Sequence, residues 1–215
     1  MIVHAAANAS VSWCEKNPEQ AIAINQDGTR HVVDAANAVQ SKVILISSFA
    51  IANTKTLYGR TKAASEKYVQ EALAGYIILR PSLVIWFSPN TTNDRPFNRI
   101  LRNITDHVPA VYDMSWKFQP TWLYHLNEIL DCVLEKGITN ETIHVSVPEI
   151  KTRYDLARDI LEKFNISVTP EDKHDDSPAF LQNLSELDRL GLPKHSYAEM
   201  IAGIVQEIEV YLDRR

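Results

Sequence analysis

Short apolar runs and stretches of helical periodicity alternate along the first eighty residues. "MIVHAA" is apolar and ends in small residues, the pattern of a buried strand entering a tight turn. Ala, Ile and Val recur at helical spacing from Glu19 to Val39 and predict a helix. "SKVILISS", with Val43, Ile44 and Ile46, predicts a second buried strand. Tyr58 to Ala74 is again helical, with Gly75 as its stop, and "YIILRP" predicts a third strand closed by Pro81. The order β-α-β-α-β predicts a parallel sheet with helices on both faces.

The pattern changes after Pro81. "SPNTTNDRP" (88–96) reads as a loop, and Pro96 suits a first helical turn. Helices are predicted over Phe97 to Ile104 and over Trp122 to Lys136, the second stopped at Gly137. "ETIHVSV" predicts a fourth strand. Thr152 opens a helix to about Phe164, as N-cap to Asp155. "TPEDKHDDSPAF" is polar and predicts an exposed loop. Ser196 to Leu212 closes the chain as an amphipathic helix, with Ser196 and Glu199 as a capping box.

Composition narrows the function. The chain has 215 residues, 45% hydrophobic and 23% charged, an ordinary globular balance able to bury a sizeable core. With a net charge of −5 and scattered basic residues, no nucleic-acid partner is expected. No apolar run approaches the roughly 20 residues that cross a bilayer, so no membrane partner is expected. The opening "MIVHAAANAS" lacks the basic and apolar regions of a signal peptide. Cys14 and Cys132 fit a reducing compartment, and a cytoplasmic location is the expectation. The seven histidines form no i, i+4 pair, and no metal is expected.

Open parallel sheets carry their chemistry at the carboxyl ends of strands. Here those ends are "HAAA" (4–7), Ser47 and Ser48, and Pro81, Ser82 and Leu83. Tyr58 and Lys62, at i and i+4, share one helix face. An ammonium beside a phenol favours the phenolate, and such a tyrosine can give a proton to a carbonyl oxygen under reduction. A hydroxyl at Ser48 would steady the charge on that oxygen. The same spacing also describes a solvated lysine beside a half-buried tyrosine. Trp13, Trp86, Trp116 and Trp122 read as packing residues, and His4 as a partly buried, satisfied histidine.

"IVHAAA", "INQDGTRHVVDAA", a strand ending in "ISS", "YGRTKAASE" and "ILRPSLV" follow in this order. In that combination the chain resembles the extended short-chain dehydrogenase/reductases, most closely the dTDP-4-dehydrorhamnose reductase branch. "FQPTWLYHLNEILDCVLEKG", "IHVSVPEIKTRYDLARDILEKF" and "LSELDRLGLPKHSYAEMI" are similar to that branch's substrate lobe, so the likeness covers roughly residues 2 to 213. It implies an α/β fold: a Rossmann-like parallel sheet with helices on both faces, lacking the first strands, plus a small C-terminal substrate lobe. Residues 1–88 and 120–148 would form the cofactor domain, and 89–119 and 149–215 the substrate-binding lobe. The implied activity is NAD- or NADP-dependent reduction of a nucleotide-linked 4-keto-sugar. Ser48, Tyr58, Lys62 and Asn25 would be the catalytic residues, with Tyr58 the proton donor and Asn25 supporting a proton relay. Ala5, Ala6, Tyr58, Lys62, Pro81, Ser82 and Val84 would border the cofactor. Arg95, Asn98 and Gln119 would contact the sugar nucleotide, and a homodimer fits the pattern. Two other readings share the resemblance. One is a nucleotide-sugar epimerase or dehydratase, although Phe49 stands where dehydratases carry an acid. The other is a non-catalytic regulatory relative, like the β subunit of methionine adenosyltransferase.

Two departures carry expectations of their own. The family's Gly-rich turn that approaches the pyrophosphate has no counterpart among the six glycines, so a longer chain with strands ahead of Met1 is expected. Ser48 and Tyr58 stand ten residues apart against roughly two dozen in the family. Either loop residues are missing near Ala52 and Asn53, or "FAIANTKTL" makes the whole join.

Overall fold

The structure, a computed structural model, describes residues 1–86, 95–175, 177 and 179–214. Most of the loop expected at 88–96 lies outside the described residues. The chain begins with β1 (Ile2–His4), α1 (Val11–Lys16), α2 (Pro18–Ala21), a π-helical segment (Ile22–Asp27) and α3 (Gly28–Ala38). Next come β2 (Val43–Ile46), a 3-10 turn (Phe49–Ala52), α4 (Leu57–Val69) and β3 (Tyr76–Pro81). It continues through β4 (Val84–Ile85), α5 (Pro96–Thr105), β5 (Ala110–Asp113), β6 (Lys117–Phe118), β7 (Thr121–Trp122) and α6 (Leu123–Glu135). The remaining elements are β8 (Glu141–Val145), β9 (Lys151–Thr152), α7 (Arg153–Leu161), β10 (Val168–Glu171), α8 (Ser185–Arg189) and α9 (Tyr197–Asp213).

They form two compact units. The first holds Met1–Ser82, Glu128–Val145 and Asn183–Leu192. Its sheet runs β1-β2-β3-β8, every pair parallel, in the register Ile2↔Val43, Val43↔Tyr76 and Ile77↔Glu141. Because the pairing is parallel, the carboxyl ends of all four strands share one edge. Helices cover both faces. On one, Val33 and Ala36 of α3 and Val69 of α4 close over Val43, Leu45 and Ile78. Val43, Ile44 and Leu45 are all buried, as a strand covered on both faces requires. Burying each such aliphatic side chain contributes about 1.5–3 kcal/mol. β1 is one of the two edge strands, with Val3 48% exposed.

The second unit holds Leu83–Asn127, Ser146–Gln182 and Pro193–Arg215. Its two-stranded pairs are β5 with β10, β4 with β7 and, antiparallel, β6 with β9. Its core gathers Phe97 and Ile100 of α5, Leu156 and Ile160 of α7, and Met200 and Ile204 of α9. Both expected helix starts form complete capping boxes, Thr152 with Asp155 and Ser196 with Glu199.

Three departures from the sequence expectations have identifiable physical reasons. The helix expected over 19–39 is interrupted by the π-helical segment, because the Asn25 carbonyl accepts from Thr29 Oγ1 at 2.7 Å and from Ser65 Oγ of α4 at 2.6 Å. The helix expected to Ala74 ends at Val69, and 70–74 turn into β3. The loop expected over 169–180 begins as strand β10. Its Thr169, Pro170 and Glu171 are exposed while its backbone pairs with β5, so its polar composition conceals it.

Two glycines respond oppositely to the same substitution. A Cβ at Gly203 would overlap the Trp122 ring, whereas one at Gly28 would meet only the Ala23 carbonyl, at 3.5 Å. In urea unfolding, Gly203→Ala is expected to lose about 1–3 kcal/mol. Gly28→Ala, in a helix with φ −56, is expected to gain about 0.5–1 kcal/mol.

Candidate active site

Three of the parallel strands end in small residues at the shared carboxyl edge. β1 runs into Ala5 and Ala6, both exposed; β2 into Ser47 and Ser48, both buried; β3 into Pro81 and Ser82, also buried. α4 is anchored to the middle of these. Lys62, only 2% exposed, donates from Nζ to the Ile46 carbonyl at 2.8 Å. One turn further along α4, Glu66 accepts a short hydrogen bond from the Ser47 hydroxyl. The same carboxylate pairs with Arg80 of β3, receiving Nε at 3.0 Å and Nη2 at 2.6 Å.

The two adjacent serines are therefore distinguished by their partners. Ser47 spends its proton on Glu66. Ser48 caps the 3-10 turn, its Oγ accepting from the Ala50 amide at 3.1 Å, and so keeps its proton to donate. The turn also explains how ten residues join Ser48 to Tyr58. A Cβ at Gly59 would collide with the carbonyls of Ala50 and Asn53, so only glycine lets α4 start directly against the turn that Ser48 opens. Tyr58 is the second residue of that helix and is buried with Leu57, Cys14 and Ala21. Thr56 caps α4 on the Gly59 amide at 3.1 Å, and Glu15 of α1 takes the Leu57 amide at 2.6 Å.

Asn25 occupies the π-helical segment. Its side-chain amide accepts from the Asn8 N–H at 2.7 Å and donates to the Asn8 carbonyl at 3.1 Å, fixing the loop that carries Ala5 and Ala6. His4 bonds Thr29 Oγ1 at 3.0 Å through Nε2, and burial, then the Lys62 charge, hold its pKa below the ordinary value. In the second unit, Val84 lies in β4, and Arg95 is the exposed residue ahead of α5. Asn98 is buried. The Gln119 amide donates to the Pro148 carbonyl at 3.0 Å and accepts from the Gln182 N–H at 2.7 Å. A cavity of about 440 Å³ lies at the opposite, amino edge of the sheet, lined by Met1, Val39, Ile44, Tyr76 and Val133. It is remote from the serine, tyrosine and lysine.

Glu66, Arg80 and Glu15 were not singled out in the sequence. One signal was available: an arginine inside the otherwise apolar "YIILRP" strand needs a buried partner. Glu66, four residues after Lys62, is that partner.

Burial is the larger influence on Lys62 and outweighs the opposing Glu66 charge, pulling its pKa from 10.5 to about 8. The end of β2 thus carries two hydroxyl side chains beside a buried ammonium, and the ends of β1 and β3 bring Ala5, Ala6, Pro81 and Ser82 to the same edge.

The profile of the RmlD substrate binding domain family matches residues 1–188. A dTDP-4-dehydrorhamnose reductase of Streptomyces griseus is 27% identical over 146 residues, covering 60% of this chain and 46% of that protein. An inverting UDP-N-acetylglucosamine 4,6-dehydratase of Campylobacter jejuni is 41% identical over 68 residues, 31% of this chain and 20% of that protein. The chain thus spans about half or less of the length of these curated relatives. The crystal structure of a Bacillus anthracis dTDP-4-dehydrorhamnose reductase in complex with NADP superposes with a TM-score of 0.81 at 21% identity. It covers 96% of this chain and 79% of that one.

The Lys62 shift makes stability depend on pH. Between pH about 8 and 10.5 the unfolded chain holds the lysine proton and the folded chain does not, so stability rises with pH. The full rise is worth about 3 kcal/mol. Urea unfolding from pH 7 to 10.5 is expected to show this rise in the unaltered protein relative to Lys62→Met.

Proposed function

The chain belongs to the RmlD substrate binding domain family, and from that membership we propose that it is an NAD(P)H-dependent reductase of a nucleotide-linked 4-keto-sugar. The observation that supports this most is the packing of α4 on the end of β2. It sets the Lys62 ammonium at the Ile46 carbonyl and starts Tyr58 against the turn that Ser48 caps. Family likeness to reductases from Streptomyces griseus and Bacillus anthracis points the same way.

In this reading the dihydronicotinamide supplies the hydride when bound. Ala5, Ala6, Pro81 and Ser82 would border it, with Val84 as a further candidate. Ser48 donates its free proton as a hydrogen bond to the sugar carbonyl oxygen, which draws charge onto that oxygen. Tyr58 delivers the proton that makes the alcohol. The Lys62 ammonium favours the phenolate left behind and so lowers the cost of giving that proton up. Asn25 acts by holding the Ala5–Asn8 loop, with its amide bonded to the Asn8 backbone. Arg95, Asn98 and Gln119 are the candidates for the nucleotide and sugar, with Gln119 committed to the backbone at both ends of its amide.

The 68-residue match to a dehydratase favours a second reading, loss of water from a UDP-sugar. That elimination needs an additional acid or base, and the residue after Ser48 is Phe49, which has none to offer. Reduction needs no acid or base beyond Ser48, Tyr58 and Lys62.

Consumption of NADPH or NADH with dTDP-4-dehydrorhamnose tests the proposal. Tyr58→Phe is expected to lower kcat by roughly 10²–10⁴. Turnover equal to that of the unaltered protein would remove Tyr58 from the reaction. Conversion of a UDP-N-acetyl sugar without net nicotinamide oxidation would favour the dehydratase reading.

A further inference from the structure

The carboxylate of Glu66 is 5% exposed and engaged on both oxygens: Oε1 accepts from Ser47 Oγ and Arg80 Nε, and Oε2 accepts from Arg80 Nη2. A buried ion pair is a poor source of net stability, since desolvation of the two charges offsets most of their attraction. Its geometry is more informative. Lys62 and Glu66 are one turn apart on α4, and they grip consecutive residues, Ile46 and Ser47, at the end of β2. The Ser47 amide is bonded to the Leu79 carbonyl at 2.7 Å, and Arg80 follows Leu79 in β3. The backbone that leads into Ser48 is therefore held from two elements at once.

We propose that Glu66 is a positioning residue: through Ser47 it fixes the peptide that presents the Ser48 hydroxyl, and from one helical turn away it steadies the charged form of Lys62 at the Ile46 carbonyl. The proposal deepens the reductase reading and rests on Ser48 and Lys62 belonging to that centre. Tyr58 and Glu66 stand four residues to either side of Lys62 on α4, the Lys62 charge acts on His4 of β1, and Arg80 of β3 pairs with Glu66. Glu66 is the anion among them.

Three variants separate the two effects: Glu66→Gln, Ser47→Ala and Ser47→Thr, which keeps the hydroxyl. Their kcat and KM for keto-sugar reduction are measured beside the NMR titration of Lys62 in protein carrying [ε-13C]lysine, its signal assigned by loss in Lys62→Met. Glu66→Gln and Ser47→Ala are expected to lower kcat roughly ten- to a hundredfold. KM should stay within about twofold, the mark of an interaction that matters in the transition state. Ser47→Thr should restore most of the rate. The Lys62 midpoint should move to lower pH in Glu66→Gln and hold in Ser47→Ala. A Ser47→Thr rate as poor as that of Ser47→Ala, or a Lys62 midpoint unmoved by Glu66→Gln, overturns the proposal. If the unaltered protein turns over no keto-sugar, the reductase reading fails by itself, and the Lys62 titration still decides whether Glu66 acts on the lysine.

Discussion

At the end of β2, two consecutive residues give their polar groups to one helix: the Ile46 carbonyl to Lys62 and the Ser47 hydroxyl to Glu66. The rest of the first unit follows from that attachment. It requires α4 to lie close along the strand end, which in turn requires glycine at 59 where the helix meets the Ala50 and Asn53 carbonyls. It also requires a cation for the buried Glu66, supplied by Arg80 from the neighbouring strand. The cost falls on Lys62, whose desolvation exceeds what Glu66 returns. A protein rarely keeps a buried ammonium with a depressed pKa unless packing or chemistry demands it, and such groups cluster at functional sites.

The helix opposite α4 is shaped by the same contact. Ser65 and Thr29 both turn their hydroxyls onto the Asn25 carbonyl, which opens the helix into a π-helical segment. That opening lets the Asn25 amide reach back to Asn8 and tie down the loop after β1. The ends of β1 and β2 are thus organised by side chains on two packed helices, and both ends lie on the same edge because the sheet is parallel.

Much of this was legible in the sequence, for specific reasons. Val43, Ile44 and Leu45 form a continuous apolar run, and only a doubly covered strand accommodates one. Thr152 with Asp155 and Ser196 with Glu199 announce helix starts because their side chains answer local backbone groups. Tyr58 and Lys62 share a helix face through spacing alone. What stayed hidden depends on contacts distant in sequence. The pairing of Glu66 with Arg80 spans fourteen residues and two elements. β10 is stabilised by backbone pairing with β5, so its exposed side chains carry no strand signal. The interruption of the helix before Gly28 is imposed by Ser65, 40 residues away. The short join from Ser48 to Tyr58 is made by the 3-10 turn over Phe49–Ala52, against which α4 starts at Gly59, a contact that spacing alone does not reveal.

We propose that the hydroxyls of Ser48 and Tyr58 act on one substrate oxygen. A crystal structure of the protein with NADP and a dTDP-sugar measures this most directly. Ser48 Oγ and Tyr58 Oη are both expected within about 2.6–3.2 Å of the oxygen on sugar carbon 4. A sugar nucleotide bound with that oxygen away from both hydroxyls, or the two side chains opening into separate cavities, would contradict it.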